Sequence, residues 1–115
     1  EGEFFVKGKR KAVNVSLKIF TEVPLSIPIF LGQARKGMQE DSKYDGAFMG
    51  NLKSQTLGNK QWSSFSIKMN PEIRQEVWGR KLNSDTALLV LFTAVGTYYD
   101  QYHPSFVSIL AQSAD

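Results

Sequence analysis

Histidine, cysteine and clustered carboxylates are the residues that most often carry enzymatic or metal chemistry, and this chain has few of them. Its 115 residues include one histidine, His103, and no cysteine. Residues 41–46 have the acidic spacing of a calcium loop, but Lys43 occupies a ligand position and Leu52 stands where the closing glutamate is required. A lone histidine without partners neither forms a metal triad nor acts as an oriented base. The sequence therefore predicts His103 in a surface turn and a non-catalytic protein with no cofactor and no metal.

Positive charge collects near the start of the chain. The formal net charge is +3, and Lys7, Lys9, Arg10 and Lys11 form its densest cluster. Such a cluster can attract phosphate on nucleic acid or on anionic lipid headgroups. The same residues also suit a solvated turn between two strands, which is the simpler interpretation.

Two classes of binding function fit a chain without catalytic groups. The first is an OB-like domain for single-stranded nucleic acid, which stacks bases on aromatic rings and holds the backbone with lysine and arginine. Lys18 and Lys68 would add to the basic cluster, and the available aromatic residues are Phe20, Trp62, Phe65, Tyr98, Tyr99 and Tyr102. A net charge of +3 is modest for such a binder. The second class is a protein-interaction module whose long loops dock a partner.

The elements that must position either site are mostly strands. Residues 86–99 are apolar on both parities and rich in β-branched and aromatic side chains, as in a strand covered on both faces. Residues 13–20 alternate between apolar and polar types, which predicts a half-buried strand. Residues 4–7, 62–69 and 105–111 complete the set of predicted strands.

The connections are harder to assign. Residues 26–31 are apolar but contain Pro28, which cannot donate to a ladder, so they predict an edge strand or an extended loop. Residues 32–60 are polar and glycine-rich, and we expect a short helix or turn within 34–53. A connection of this length is usually functional or partly helical.

Residues 70–72 have the order of types that begins many helices: asparagine as a cap, proline in the first turn and then an acid. Ile73 and Val77 share a face at helical spacing, so a short helix is predicted there. Together these patterns predict one domain over residues 1–115. Its fold class is mainly β, an antiparallel β-sandwich with one or two short helices.

Three segments resemble TssJ-type lipoproteins of type VI secretion systems. Residues 15–23 (VSLKIFTEV) are similar to the family's second strand, and residues 65–72 (FSIKMNPE) resemble its strand followed by a proline-containing turn. Residues 89–99, with 106–110 after an acidic turn, are similar to its closing pair of strands.

The resemblance implies a transthyretin-like β-sandwich and a protein–protein interaction. The partner would be the periplasmic end of the inner-membrane protein TssM. An acylated cysteine upstream of Glu1 would tether the protein to the periplasmic face of the outer membrane. The basic turn and the loop 24–33 then become candidate contact surfaces, and the residues concerned are Lys7, Lys9, Arg10, Lys11, Leu25, Ile27 and Phe30.

Overall fold

The computed structural model describes residues 2–4, 13–70 and 73–112. Seven strands and two α-helices account for most of them, with one 3₁₀ turn at Ser42–Tyr44. In chain order the elements are β1 (Gly2–Phe4), β2 (Val13–Phe20), α1 (Ile27–Gln39), β3 (Phe48–Met49), β4 (Lys53–Leu57), β5 (Lys60–Asn70), β6 (Ile73–Asn83), β7 (Thr86–Val95) and α2 (Tyr98–Gln112).

All seven strands join in one antiparallel sheet. Its order is β1-β2-β7-β6-β5-β3, and β4 pairs with the first half of β5, ahead of the residues that pair with β3. The strand predicted over 13–20 is confirmed as β2, and the strand predicted over 62–69 lies wholly within β5. Of the strand predicted over 4–7, residues 5–7 lie outside the described residues. The predicted mainly β, antiparallel fold with one or two helices is confirmed, in the form of an open sheet.

A helix covers each face of the sheet, which explains the apolar residues on both parities of β7. Val90, Phe92 and Ala94 point to the face under α2, where Phe106 and Leu110 join the same core cluster. The alternate residues of β7 point to the face under α1 and belong to clusters built around Leu31, Val77 and Phe65, or around Val23 and Ile27. We call these two sides the α2 face and the α1 face.

Helix α1 replaces the edge strand or extended loop that was predicted over 26–31. The prediction was wrong because Pro28 lies in the first turn of the helix, where a missing N–H costs no intrahelical bond. Leu31 is fully buried against the sheet. The guanidinium group of Arg35 donates to the carbonyl oxygens of Met49 and Gly50 at 3.0 and 2.9 Å. These bonds fasten α1 to β3.

The long connection over 32–60 contains regular structure at several points. The second half of α1 and the 3₁₀ turn fall within 34–53, where a short helix or turn was expected. The 3₁₀ turn begins at Asp41, whose side chain accepts a hydrogen bond of 3.0 Å from the backbone N–H of Lys43. That carboxylate therefore caps a turn, as asparagine and aspartate commonly do.

β6 stands where the sequence predicted a short helix. Ile73, predicted to follow a helix start, opens a strand of eleven residues, and residues 71–72 lie outside the described part of the chain. Val77 and Trp78 are adjacent and both buried, because the sheet is covered on both of its faces. This two-sided burial conceals the alternation that would have indicated a strand.

Helix α2 replaces the strand predicted over 105–111. Tyr99, Phe106 and Leu110 are its buried residues and recur at helical spacing on one side. Pro104 lies inside the helix, so the predicted turn at His103 is also wrong. The strand predicted over 86–99 ends at Val95, and Gly96 then turns the chain with a φ of 58°.

Candidate docking surface

Within the described residues, one side of β2 has a strand partner over less than half its length. β1 pairs with β2 from Val13 to Val15, and no other described strand pairs with that side. Residues 16–20 pair with β7 on the other side, which holds them in an extended conformation. The outward backbone N–H and C=O groups of such an edge can hydrogen-bond to another extended chain.

Two exposed apolar side chains lie on this unpaired stretch. Leu17 is 40% exposed and Ile19 is 64% exposed. Their partners in the register are Val90 and Leu88, so both point to the α2 face. Lys18 lies between them on the α1 face and is the one charged residue within 16–20. The edge thus combines apolar surface with backbone groups that no described strand pairs with.

An apolar groove continues this surface between β2 and α2. The groove encloses about 250 Å³, and its lining includes Val15 of β2 with Tyr102 and Ile109 of α2. Ile109 is 53% exposed at the rim. We call Leu17, Ile19 and Ile109, together with the backbone of residues 16–20, the β2 edge surface.

Apolar surface also reaches the edge on the α1 face. A second groove of about 190 Å³ lies there, lined by Phe20 and Lys18 of β2, Met38 of α1, and Leu89 and Leu91 of β7. Helix α1 packs on β5 and β6, so this part of the α1 face is only partly covered. A strand added beside β2 would therefore meet apolar side chains on both faces.

The principal polar cluster of the α2 face is centred on Glu76 of β6. Its carboxylate accepts hydrogen bonds from Trp78 Nε1 at 2.8 Å and from the Tyr99 hydroxyl. His103 Nε2 lies 2.9 Å from the same carboxylate and must donate to it, because a carboxylate only accepts. The His103 ring stacks on that of Tyr99, with 5.1 Å between ring centres. This network pins the N-terminal half of α2 to the sheet.

The same network perturbs one titrating group. Burial raises the pKa of the Tyr99 hydroxyl above its ordinary value, and its hydrogen bond to Glu76 raises the pKa further because both disfavour the phenolate. Arg74 lies over the Tyr99 ring, with its guanidinium carbon 3.9 Å from the ring centre. Tyr99 thus acts as a neutral donor rather than as a base.

The predicted partner-contact residues fall in two places. Lys7, Lys9, Arg10 and Lys11 lie outside the described residues. Leu25, Ile27 and Phe30 come together near the start of α1 in a small core cluster with Val23 and Ala87. Ile27 is 7% exposed, so its side chain is not available to a partner, and the predicted loop 24–33 is wrong because α1 begins within it.

The aromatic residues proposed for base stacking are mostly enclosed. Trp62 and Phe65 are 0% and 2% exposed, and Tyr99 is also buried. Phe20, Tyr98 and Tyr102 are half-buried. The ring of Trp62 therefore has no face on which a base could stack, as the alternative OB-like interpretation would require.

The main features of the site were not predicted from the sequence. Leu17 and Ile19 follow the apolar parity of β2, so they were assigned to the core face; no local signal shows that α2 stops short of them. The Glu76–His103 contact joins residues that are 27 positions apart. Such a contact leaves no trace in local spacing.

Two further observations concern metal binding and membrane-spanning helices among the described residues. No group of three or more histidine, cysteine, aspartate or glutamate side chains within this part of the chain could hold a metal ion. Neither described helix is long and apolar enough to cross a membrane.

Comparison with known proteins gives a fold relationship. No family model and no curated protein matches the chain. The structure is similar to the solution structure of cyanobacterial PsbP (CyanoP) from Synechocystis sp. PCC 6803, with a TM-score of 0.55. The match has 11% sequence identity and covers 90% of this chain and 67% of that one. At this identity the similarity concerns the fold alone.

Proposed function

We propose that this chain is a non-catalytic protein-docking domain that captures an extended segment of a larger protein at the β2 edge surface. One observation carries the proposal: on residues 16–20, backbone that no described strand pairs with on its outer side coincides with two exposed apolar side chains. Exposed edges are usually blunted by charges, proline, bulges or covering elements. Within residues 16–20 only Lys18 carries a charge, and the stretch contains no proline.

The proposed occupant is a partner strand with a defined pattern. Its apolar side chains lie beside Leu17 and Ile19 on the α2 face, and an acidic side chain lies opposite Lys18. A cross-strand pair of opposite charge stabilises by about 0.2–1 kcal/mol, whereas like charges placed opposite each other destabilise. A second copy paired about Lys18 would oppose two lysines, which disfavours self-association in that register.

The Glu76 network supports a structural rather than catalytic use of the polar residues. Trp78, Tyr99 and His103 donate to this carboxylate and occupy about three of its four acceptor positions. The contacts of Glu76 therefore join α2 to the sheet.

The proposal is tested by selecting random peptides that bind the full chain. The affinity of each enriched peptide for the protein is then measured in solution. We expect enriched peptides to alternate apolar residues about one acidic position. Ile19→Lys should weaken their binding at least tenfold. Phe48→Lys is the matched control, since Phe48 is 68% exposed on β3, at the other end of the strand order from β2, and it should leave binding within twofold.

Hydrogen exchange separates strand addition from other modes of docking. Outward-facing amides within residues 16–20 should exchange rapidly in the free protein and become protected, at alternate positions, when the selected peptide binds. Unchanged exchange at these amides, equal binding by the Ile19→Lys variant, or no enriched peptide would each overturn the proposal. A dimer that dissociates on Ile19→Lys substitution would assign the edge to a second copy instead.

We further propose the envelope location that the TssJ resemblance implies. In that proposal an acylated cysteine upstream of Glu1 holds the domain at the periplasmic face of the outer membrane, and the partner is TssM-like. The test is the intact mass and detergent partitioning of the full-length product from its native host. A lipid-sized mass increment with partition into detergent supports the tether, and an unmodified product that stays in the aqueous phase contradicts it.

A further inference from the structure

A polar cavity lies on the α2 face at the opposite side of the sheet from β2. It encloses about 290 Å³ beside the N-terminal turn of α2, over β5 and β6. Lys68 and Arg74 are directly opposite each other in the register, and Phe48 of β3 is opposite Lys68. These three side chains therefore project from the same face of three adjacent strands, and Lys53 of β4 also lines the cavity.

Positive charge predominates around this cavity. Arg74 is held in place by the Tyr99 ring and by Asp100, whose Oδ1 lies 3.8 Å from its Nη1. Lys53 and Lys68 are exposed and have no ion-pair partner within the described part of the chain. Glu76 faces the same space, and Trp78, Tyr99 and His103 donate to it. Among the described residues, three cations thus face two carboxylates. An oxyanion placed among the cations would gain charge-assisted hydrogen bonds.

An exposed aromatic ring stands at the rim. Phe48 is 68% exposed, the largest exposed fraction among the large apolar side chains of the described residues. A ligand with a planar apolar part could cover this ring while its anionic group reaches the lysine and arginine side chains. The volume lies close to the lower end of the range for small-molecule sites, about 300–1,000 Å³.

We propose that this cavity binds a small organic oxyanion, a carboxylate or a phosphate monoester, that carries a planar apolar group. Lys53, Lys68 and Arg74 bind the oxyanion, the Ser66 hydroxyl adds a neutral hydrogen-bonding group, and Phe48 contacts the planar group. The site is separate from the β2 edge surface, so Ile19→Lys should leave it unchanged.

Amide chemical shifts measured during titration test this proposal with three probes at constant ionic strength: phenyl phosphate, inorganic phosphate and neutral benzyl alcohol. We expect phenyl phosphate to give saturable shifts at residues 53, 66, 68 and 74. Inorganic phosphate should bind the same residues at least fivefold more weakly, and benzyl alcohol should give no saturable shift there.

Variants separate the two contributions to affinity. The double variant with Lys53→Gln and Lys68→Gln should weaken phenyl phosphate at least tenfold, while Lys36→Gln on α1 should have no effect. Phe48→Ala should remove the advantage of phenyl phosphate over inorganic phosphate and leave the latter unchanged. Shifts that stay linear with concentration, or an affinity unaffected by the double lysine variant, would overturn the proposal.

Discussion

Replacing Glu76 with glutamine should destabilise the fold by about 2–4 kcal/mol, a substantial share of the 5–15 kcal/mol typical of a domain. The carboxylate accepts from Trp78 Nε1 and His103 Nε2 at 2.8 and 2.9 Å, and from the Tyr99 hydroxyl. A hydrogen bond to a charged group contributes about 1.5–3 kcal/mol, and a donor left unsatisfied adds a desolvation cost. The Glu76 side chain is 13% exposed and that of His103 is 30% exposed, so water offsets part of the loss.

Urea unfolding measures this effect directly. Trp62 and Trp78 lie in the core cluster beneath α2, so their fluorescence reports the loss of the contacts between helix and sheet. Circular dichroism gives a second probe that is insensitive to the altered surroundings of Trp78. Glu40→Gln is the control, because Glu40 is exposed at the C-terminal end of α1 and should change the free energy of unfolding by less than about 0.5 kcal/mol.

A loss below about 0.5 kcal/mol for Glu76→Gln would refute the reasoning, since the three donors would then be satisfied by other means. A double-mutant cycle with His103→Asn refines the test. The two residues are in direct contact, so their effects should be non-additive by at least about 0.5 kcal/mol.

Three further predictions concern other parts of the structure. In alkaline titration of tyrosine absorbance, Tyr99→Phe should remove a phenol that ionises well above pH 10. Because the pKa of the Tyr99 hydroxyl is raised on folding, the contribution of this hydroxyl to stability is complete below about pH 10 and is lost as the pH rises further. Gly79→Ala should cost about 1–3 kcal/mol in thermal or urea unfolding, since its Cβ would lie 2.9 Å from a leucine side chain. Gly37→Ala, inside α1 with no atom within 4 Å of the new Cβ, should instead stabilise by about 0.5–1 kcal/mol. Ile27→Ala truncates a core side chain and should lower the free energy of unfolding by about 2–4 kcal/mol. Ile29→Ala, at an exposed position of the same helix, should change it by less than about 0.5 kcal/mol. Equal effects of the two substitutions would contradict the burial of Ile27.

The strands that the sequence predicts well are those whose pattern has one physical cause. β7 is apolar on both parities because a helix covers each side, so its side chains record their burial directly. β2 alternates between apolar and polar types, and Val13 at its start is buried as that pattern predicts, whereas Leu17 and Ile19 are exposed. The mainly β architecture follows from them.

Two of the errors have a different cause, since each arose where a proline was assigned the wrong structural role. Pro28 was interpreted as the mark of an edge strand and in fact lies in the first turn of α1. Pro104 was interpreted as a turn and lies inside α2, whose packing against Phe92 and Trp78 offsets the lost backbone hydrogen bond. Tertiary contacts decide between such meanings, and local sequence does not encode them.

The candidate surfaces were beyond prediction for a related reason. Leu17 and Ile19 have the same parity and residue types as the buried residues of β2, and their exposure depends on where α2 ends its path over the sheet. The cavity between Lys53, Lys68 and Arg74 depends on the pairing of three strands. Exposure and proximity of this kind are properties of the assembled fold.

The position of β2 in the sheet also has a consequence for how the chain folds. Of the described strands β7 is synthesised last, long after its principal neighbour β2. During translation the edge of β2 that pairs with β7 therefore stays exposed until β7 has emerged. Non-local pairing of this kind slows folding, on the order of milliseconds to seconds, and exposes strands to intermolecular association. Nascent chains of this protein should therefore depend on chaperones until β7 is in place.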